Sequence, residues 1–259
     1  MIALIGDIGN TITKISIIEI NNLKIKKIVY FNSSKILSNR FLKIKIDKLV
    51  KNVKINRIAL FSSVVPKFTF KLKSFLKKNY NIKIIEIKES KIKKIIKINI
   101  KNKNQVGSDR IANAVGVYKK YKSNCIVLDF GTATTFDVVT KNGIYNGGII
   151  APGVNLSINS LTNFADQIPI FSLKKQNKII GKNTVEALRS GFYWGYSGLI
   201  NNIILKIEKE TKRKYKIIFT GGYADLFKTS IIRSFSVDRN ITIKGIAELF
   251  RENIKYLIK

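Results

Sequence analysis

Two aspartates of this sequence end apolar segments and begin the same short polar pattern. Each Asp is followed two positions later by Gly and then by hydroxyl or amide side chains. The first pattern contains Asp7, Gly9, Asn10, Thr11 and Lys14, and the second contains Asp129, Gly131, Thr132 and Thr134. A glycine permits a tight turn, so backbone N–H groups and short hydroxyls can contact phosphate oxygens, and an Asp can hold a hydrated Mg²⁺ that bridges them.

A single Asp-x-Gly turn is also typical of an ordinary β-hairpin, but two copies at matching positions favour a phosphate site. A third turn, Gly221-Gly222, follows an apolar segment. This turn is consistent either with the approach of a nucleotide base or ribose to the backbone or with a plain strand-to-helix turn. The sequence contains no Gly-x-x-x-x-Gly-Lys-Ser/Thr pattern, which excludes the P-loop class.

The elements around the two patterns repeat along the chain. In each half an apolar strand leads to the Asp and is followed by two more strands, predicted at 2–5, 13–20 and 24–31 and again at 125–128, 135–139 and 143–150. Further strands are predicted at 57–63, 82–87 and 216–220, and helices at 67–78, 106–122, 185–211 and 242–259. This alternation predicts an α/β protein of two similar lobes, 1–117 and 118–259, facing one cleft. Gly191, Gly195 and Gly198 suggest close packing along the third helix.

The composition excludes several kinds of catalytic site. With no His and one Cys among 259 residues, the chain has no histidine-dependent triad, no histidine-ligated metal and no internal disulfide. Proton transfer must therefore use Asp, Glu, Lys or Tyr. No segment approaches the roughly 20 apolar residues that span a bilayer, and the start lacks the basic region of a signal peptide. We therefore expect a cytoplasmic protein without membrane contact.

The formal net charge of +32 has two possible explanations. It could form a functional basic surface for a polyanion such as nucleic acid. Alternatively, Lys, Ile and Asn share codons rich in adenine and thymine, so a base bias of the genome would produce the same composition. The basic residues are mostly lysines spread along the chain, whereas nucleic-acid readers cluster them and favour Arg at base edges.

Six motifs in order resemble type III pantothenate kinase over essentially the whole chain. They are Asp7-Ile-Gly-Asn-Thr11, Gly107-Ser-Asp-Arg110, Asp129-Phe-Gly-Thr-Ala-Thr-Thr135, Gly147-Gly-Ile-Ile-Ala-Pro-Gly153, Gly181-Lys-Asn-Thr184 and Thr220-Gly-Gly-Tyr-Ala224. The resemblance implies two ribonuclease H-like lobes of the actin-like and sugar-kinase ATPase superfamily. It also implies ATP-dependent phosphorylation of pantothenate, the first step towards coenzyme A, by a homodimer that needs Mg²⁺ and a monovalent cation, K⁺ or NH₄⁺.

The resemblance also implies residue roles. Asp109 resembles the general base that takes the proton of the pantothenate hydroxyl, and Asp129 resembles the monovalent-cation ligand. The ATP-binding residues implied are Asp7, Gly9, Asn10, Thr11, Lys14, Thr132, Gly221 and Gly222. The substrate-binding residues implied are Gly107, Ser108, Asp109, Arg110 and Thr184. The residues alone leave open that Asp109 and Arg110 cap a helix and form a surface ion pair, and that Thr184 caps a helix starting at Val185.

One stretch departs from the family pattern. Upstream of Gly107 the family commonly has a Tyr and an Asn-Pro pair, but the segment from Ile100 to Val106 has neither Tyr nor Pro. This difference affects one expected wall of the pantothenate pocket. The alternatives to pantothenate kinase are a nucleic-acid-binding or regulatory protein on the same fold, and another small-molecule kinase of the superfamily.

Overall fold

The computed structural model of the protein describes residues 1–89, 94–230 and 232–257. The chain forms two compact units. The first unit contains 1–122, 142–146 and 240–259, and the second contains 123–141 and 147–239. The C-terminal helix thus groups by contact with the first unit, whereas the sequence division at 117/118 assigns it to the second lobe. The division into lobes 1–117 and 118–259 stays a prediction.

The first unit is built on a five-stranded sheet flanked by helices. Its strands are β1 (Ile2–Ile8), β2 (Ile12–Glu19), β3 (Lys24–Asn32), β4 (Ile58–Ser63) and β5 (Lys83–Glu86), in the spatial order β3-β2-β1-β4-β5. Its helices are α1 (Asn39–Val50), α2 (Pro66–Tyr80), α3 (Ser108–Tyr121) and α6 (Ile241–Leu257). The two-residue strand β6 (Lys97–Ile98) pairs in parallel with residues 144 and 145.

Helices α3 and α6 of the first unit pack in unusually close contact because glycines stand at their crossing. A Cβ atom at Gly116 would lie 2.6 Å from the carbonyl oxygen of Ile241, and one at Gly245 would lie 1.8 Å from that of Ala112. Any larger side chain at these positions would force the helices apart. This packing fixes α3, whose first turn carries the predicted catalytic Asp.

The second unit repeats the same arrangement. Its strands are β7 (Cys125–Phe130), β8 (Ala133–Val139), β10 (Lys216–Gly221), β11 (Phe235–Val237) and the part of β9 (Ile144–Pro152) from residue 147 onward, and its helices are α4 (Val154–Phe164) and α5 (Thr184–Thr211). The second sheet has the order β11-β10-β7-β8-β9-β6. An apolar core that includes Phe130, Phe219 and Phe227 packs against α5.

The two sheets confirm the internal repeat. In each one the Asp-bearing strand pairs antiparallel with the strand after it and parallel with a later strand, as β1 does with β2 and β4 and β7 does with β8 and β10. The strands predicted from the sequence are all present within a few residues. Helices α1 and α4 lie in segments for which the sequence pattern predicts no element. The last two residues of the predicted C-terminal helix lie outside the described residues.

One expectation about α5 is wrong. A Cβ atom at Gly191, Gly195 or Gly198 would meet no atom within 4 Å, so these glycines do not mark close packing within the chain. They lie on the exposed face of a 28-residue helix. Within the part of the chain that the structure describes, no helix has the length and apolar character needed to cross a bilayer.

Candidate active site

The first Asp-x-Gly pattern forms the end of a β-hairpin. Asp7 lies near the end of β1, opposite Lys14 in the antiparallel register, so the two side chains are on the same face of the sheet. The N–H of Gly9 donates to the carbonyl oxygen of Ile12 at 3.1 Å and closes the turn. A Cβ atom at Gly9 would lie 2.9 Å from that oxygen, which explains the need for glycine. Asn10 and Thr11 are exposed at the tip.

Ser33, for which the sequence predicts no role, holds this turn through hydrogen bonds. Its hydroxyl donates to the carbonyl oxygen of Gly9 at 2.6 Å and lies 2.8 Å from the hydroxyl of Thr13. Its N–H donates to the carbonyl oxygen of Thr11 at 2.8 Å. Ser33 is completely buried. The turn therefore has a fixed shape before any phosphate binds, which limits the conformational cost of binding.

The predicted catalytic segment, 107–110, forms the first turn of α3. Gly107 is the N-cap, and the N–H of Arg110 donates to Oδ1 of Asp109 at 2.8 Å. A Cβ atom at position 107 would lie 2.5 Å from the same Oδ1, so glycine makes room for the carboxylate. A helix N-terminus favours a negative charge. The guanidinium carbon of Arg110 lies 5.9 Å from the ring centroid of Tyr145.

Two serines at the end of β4 connect these two segments of the first unit. Ser62 is the register partner of Asp7 on the neighbouring parallel strand. Its hydroxyl donates to the hydroxyl of Ser108 at 3.1 Å, and the N–H of Ser63 donates to the same oxygen at 2.9 Å. The structure therefore brings the Asp7 turn and the 107–110 segment to the same edge of the first sheet. Sequence reasoning missed both serines because they act over 45 residues or more.

The second Asp-x-Gly pattern forms the matching hairpin of the second unit. The N–H of Gly131 donates to the carbonyl oxygen of Ala133 at 3.1 Å. On the neighbouring strand, Gly221 has a φ of +85°, which is rare for any residue with a Cβ atom. The N–H of Gly222 donates to the carbonyl oxygen of Phe130 at 3.0 Å. Asp129, Gly131 and the Gly221-Gly222 turn therefore lie together at the carboxyl ends of β7 and β10.

Gly153 is a further residue whose role was not predicted. It is the N-cap of α4, and a Cβ atom there would lie 2.1 Å from the carbonyl oxygen of Thr132. Only glycine lets the first turn of α4 approach the hairpin so closely. The unpaired N–H groups of a helix start attract anions. The Pro152-Gly153 pair that ends the fourth motif was the available sequence signal.

The oxygen atoms around Asp129 fit a cation of moderate size. Its register partners on β8 and β10 are Thr135 and Thr220, so three oxygen-bearing side chains lie on one face of the sheet. Thr220 is completely buried, and its hydroxyl makes no hydrogen bond to any residue that the structure describes. A buried hydroxyl in that state gains from an additional partner. The carboxylate and hydroxyl oxygens suit a hard cation, as does the carboxylate of Asp7 in the first unit.

Thr184 is the first residue of α5. The N-cap is Asn183, whose side chain accepts from the N–H of Glu186 at 2.9 Å, so the idea that Thr184 caps a helix starting at Val185 is wrong. Thr184 borders an open apolar groove of about 630 Å³ along α5. The groove is also lined by Leu161, Leu188, Gly191, Phe192 and Gly195.

Comparison with known proteins agrees with this arrangement. A sequence model of type III pantothenate kinase matches residues 3–206. A type III pantothenate kinase of Pelagibacter ubique is 50% identical over 243 residues, which cover 94% of this chain and 96% of the relative. The chain belongs to the type III pantothenate kinase family. A relative from Caulobacter vibrioides with the same name is 37% identical over 75% of each chain. Membership of this family implies that the reaction uses ATP and a divalent metal ion.

Solved structures with the same fold are more distant in sequence. A Baf family protein of Campylobacter jejuni has a TM-score of 0.63 at 22% identity and covers 97% of this chain and 99% of its own. A ROK family glucokinase of Streptomyces griseus has a TM-score of 0.58 at 10% identity, with coverages of 97% and 100%. Together with the repeated sheet, these likenesses establish the two-lobed ribonuclease H-like fold of the sugar-kinase and actin-like ATPases.

Proposed function

We propose that this chain transfers the γ-phosphoryl group of ATP to the primary alcohol of pantothenate and so forms 4'-phosphopantothenate in the cytoplasm. The observation that supports this most is the position of Asp109. Its carboxylate lies in the first turn of α3, at the sheet edge that also carries the Asp7 turn. A base and a phosphate-binding turn on one edge are what an alcohol-directed phosphoryl transfer needs.

Asp109 acts as the general base. A neutral alcohol is a poor nucleophile, so the carboxylate accepts its proton as the alcohol oxygen attacks the γ-phosphorus in line and the bond to the leaving ADP oxygen breaks. Arg110, in the same turn, suits the carboxylate of pantothenate because a guanidinium binds carboxylates through two parallel hydrogen bonds. Gly107 and Ser108 shape this part of the substrate site.

Phosphate binding uses the first hairpin. The backbone N–H groups of Asn10 and Thr11 and the ammonium of Lys14 bind phosphate oxygens of ATP, Gly9 gives the turn its shape, and Asp7 holds Mg²⁺. When bound, Mg²⁺ neutralises charge that develops on those oxygens. Ser33 keeps the turn in shape.

The proposal also assigns roles to residues of the second unit. Thr132 binds ATP, and the base or ribose of ATP lies against the backbone of Gly221 and Gly222. Asp129 holds the monovalent cation, K⁺ or NH₄⁺. Thr184 contacts the substrate. The buried hydroxyl of Thr220, on the same sheet face as Asp129, supports a cation there.

We also propose that the protein is a homodimer and that the α5 groove faces the second copy. Two strongly exposed apolar side chains follow groove-lining residues in the chain: Phe164, three positions after Leu161, is 91% exposed, and Ile170, two positions after Ile168, is 94% exposed. Patches of this kind mark interaction sites. The open glycines on α5 would let a second helix approach closely, as in a self-complementary two-fold contact.

The test of the proposed function is a coupled assay of ADP release by the purified chain with ATP, Mg²⁺ and K⁺ or NH₄⁺. We expect ADP release that depends on pantothenate. Asp109→Asn should keep the fold and lose at least 100-fold in kcat, as the removal of a general base typically does. Asp47→Asn, an exposed acid on α1, is the matched control and should leave kcat unchanged. ADP release that ignores pantothenate would refute the proposal.

A further inference from the structure

We infer that the Ser62-Ser63 end of β4 is a positioning device that holds Asp109 in place through the hydroxyl of Ser108. This inference rests on the proposed role of Asp109 as the base. It assigns to Ser108 a function different from direct substrate contact, and it adds Ser62 and Ser63 to the residues on which the reaction depends.

The hydroxyl of Ser108 is surrounded by β4. It donates to the carbonyl oxygen of Ser63 at 2.6 Å and accepts from the N–H of Ser63 at 2.9 Å. It also accepts from the hydroxyl of Ser62 at 3.1 Å. A hydroxyl has one proton to donate and two lone pairs, so these three bonds use its full capacity. Ser108 is 3% exposed. All hydrogen bonds of this hydroxyl are therefore made within the protein, and none is left for pantothenate.

This anchor acts on the residue next in the chain. Ser108 is the first residue of α3 and Asp109 is the second, so fixing Ser108 fixes the direction in which the Asp109 carboxylate leaves the helix. The hydrogen bond from the N–H of Arg110 to Oδ1 then sets its rotation. A base must stay within hydrogen-bond reach of the alcohol, and a displacement of about 1 Å can cost on the order of 100-fold in rate.

The anchor also relates the base to the phosphate-binding turn. Ser62 and Ser63 are the register partners of Asp7 and Ile8 on β1. The same two residues therefore hold the Asp7 strand on one side, through the sheet, and the Asp109 turn on the other, through Ser108. A rigid spacing between the two segments is what in-line transfer from phosphate to alcohol requires.

The end of β4 is itself braced. The N–H of Val65 donates to the hydroxyl of Ser63 at 3.1 Å, and the hydroxyl of Thr69 lies 2.5 Å from the same oxygen. The side chain of Ser63 thus faces α2, while only its backbone contacts Ser108. This separation allows a matched set of variants, because removing the hydroxyl of Ser63 leaves all three bonds to Ser108 in place.

The experiment compares Ser108→Ala, Ser108→Thr, Ser62→Ala and Ser63→Ala in steady-state kinetics, ATP binding and amide hydrogen exchange of 107–112. Ser16→Ala is the control for loss of a buried hydroxyl, since Ser16 is fully buried and donates to the carbonyl oxygen of Ile5 at 3.1 Å. We expect Ser108→Ala to lower kcat by about 10- to 100-fold. Its ATP affinity should stay within about twofold of the wild type, and exchange at 107–112 should become faster.

Ser108→Thr, which keeps the γ-hydroxyl, should recover most of kcat. Ser62→Ala should lose a few-fold in kcat, because one of three bonds is lost, and it carries the test if Ser108→Ala does not fold. Ser63→Ala, which keeps all three bonds to Ser108, should lose less kcat than Ser62→Ala, and Ser16→Ala should stay within about twofold. Unchanged exchange at 107–112 in Ser108→Ala would overturn the anchor. So would equal losses of kcat in Ser108→Ala and Ser16→Ala. A wild type without pantothenate-dependent turnover but with faster exchange in Ser108→Ala would refute the proposed function and keep the anchor.

Discussion

Gly221 and Gly222 are neighbours of the same type, yet the second unit depends on them unequally. Gly221 has a φ of +85°, and a Cβ atom there would lie 2.6 Å from both the N and the O atoms of Phe130 and 2.7 Å from Oδ1 of Asp129. A Cβ atom at Gly222 would meet only the carbonyl oxygen of Phe130, at 3.9 Å. The first position therefore requires glycine for two independent reasons, and the second does not.

We predict that Gly221→Ala lowers the free energy of unfolding by about 1–3 kcal/mol, because a strained φ and a backbone collision are imposed together. It should also weaken ATP binding, since the displaced atoms belong to the proposed ATP and cation ligands. Gly222→Ala is the control and should change stability by less than about 1 kcal/mol. Urea unfolding and calorimetric ATP titration of both variants measure this. Equal effects at the two positions would contradict the argument.

At the scale of elements, an acid on α6 makes the packing of the first unit depend on pH. Glu248 is 7% exposed, and its carboxylate lies 2.5 Å from Nη2 of Arg251. Burial raises the pKa of Glu248 above its usual value. Glu252 adds to the rise, while Arg251 and Lys119 oppose it. The folded state therefore binds a proton more readily than the unfolded chain, and this contribution to stability is lost as pH rises through the folded pKa.

We predict that Glu248→Gln becomes more stable relative to the wild type when the pH rises from about 4 to about 7. The neutral amide avoids burial of a charge that the carboxylate acquires over that range. The measurement is the difference in free energy of unfolding between variant and wild type at the two pH values. Glu252→Gln, whose side chain is 45% exposed, is the control and should show a smaller change. A difference independent of pH would show that Arg251 fully compensates for burial.

The α5 groove gives a second prediction for elements. Gly195 lines the groove, and Gly198 lies on the same helix without lining it, while both face open space within the chain. Gly195→Glu should therefore fold but should weaken the proposed dimer by at least tenfold, because a charge would enter an apolar contact. Gly198→Glu should change dimerisation less. Analytical ultracentrifugation measures the dimer dissociation constant of both variants. A wild type that is monomeric at micromolar concentration would refute this face as the dimer contact.

A helix can be predicted from the sequence when its buried residues are apolar and recur at helical spacing. Helices α2, α3 and α5 have apolar residues at helical spacing. In α1 the run Lys43-Ile-Lys-Ile46 alternates as in a strand, and only the spacing of Leu42, Ile46 and Leu49 points to the core. In α4 only Val154 and Ile158 are buried, and Asn, Ser and Thr dominate the rest. Residue propensity and hydrophobic period therefore conflict in both segments, so the sequence predicts neither helix.

The residues of the candidate site also differ in how visible they are in the sequence. Asp7, Asp109 and Asp129 lie in contiguous motifs, so their pattern is visible in the sequence. Ser33 and Ser62 support those motifs across 22 to 46 residues of chain, as in the contacts Ser33–Thr11 and Ser62–Ser108. A serine at such a position has no local signature, because its partner is set by the register of β1, β2 and β4.

At the scale of the whole molecule, the positive charge is concentrated in the first unit, although the lysines are spread along the sequence. The first unit carries 33 of the 48 Lys and Arg residues but only half of the 16 Asp and Glu residues. A base bias of the genome accounts for abundant Lys, but it does not by itself explain a concentration in one unit. Such a unit attracts any polyanion, and this attraction involves counterion release rather than base recognition.

We predict that the protein binds duplex DNA at low salt without sequence preference and loses most of that affinity near about 150 mM salt. Substituting two exposed lysines of α2, Lys67→Gln with Lys78→Gln, should make the dependence of log affinity on log salt shallower by about 2, because two phosphate contacts are lost. The matched pair in the second unit, Lys174→Gln with Lys175→Gln, should change the slope less, and pantothenate-dependent turnover should stay the same in both. Tight, sequence-dependent binding at physiological salt would instead give the basic surface a nucleic-acid function of its own.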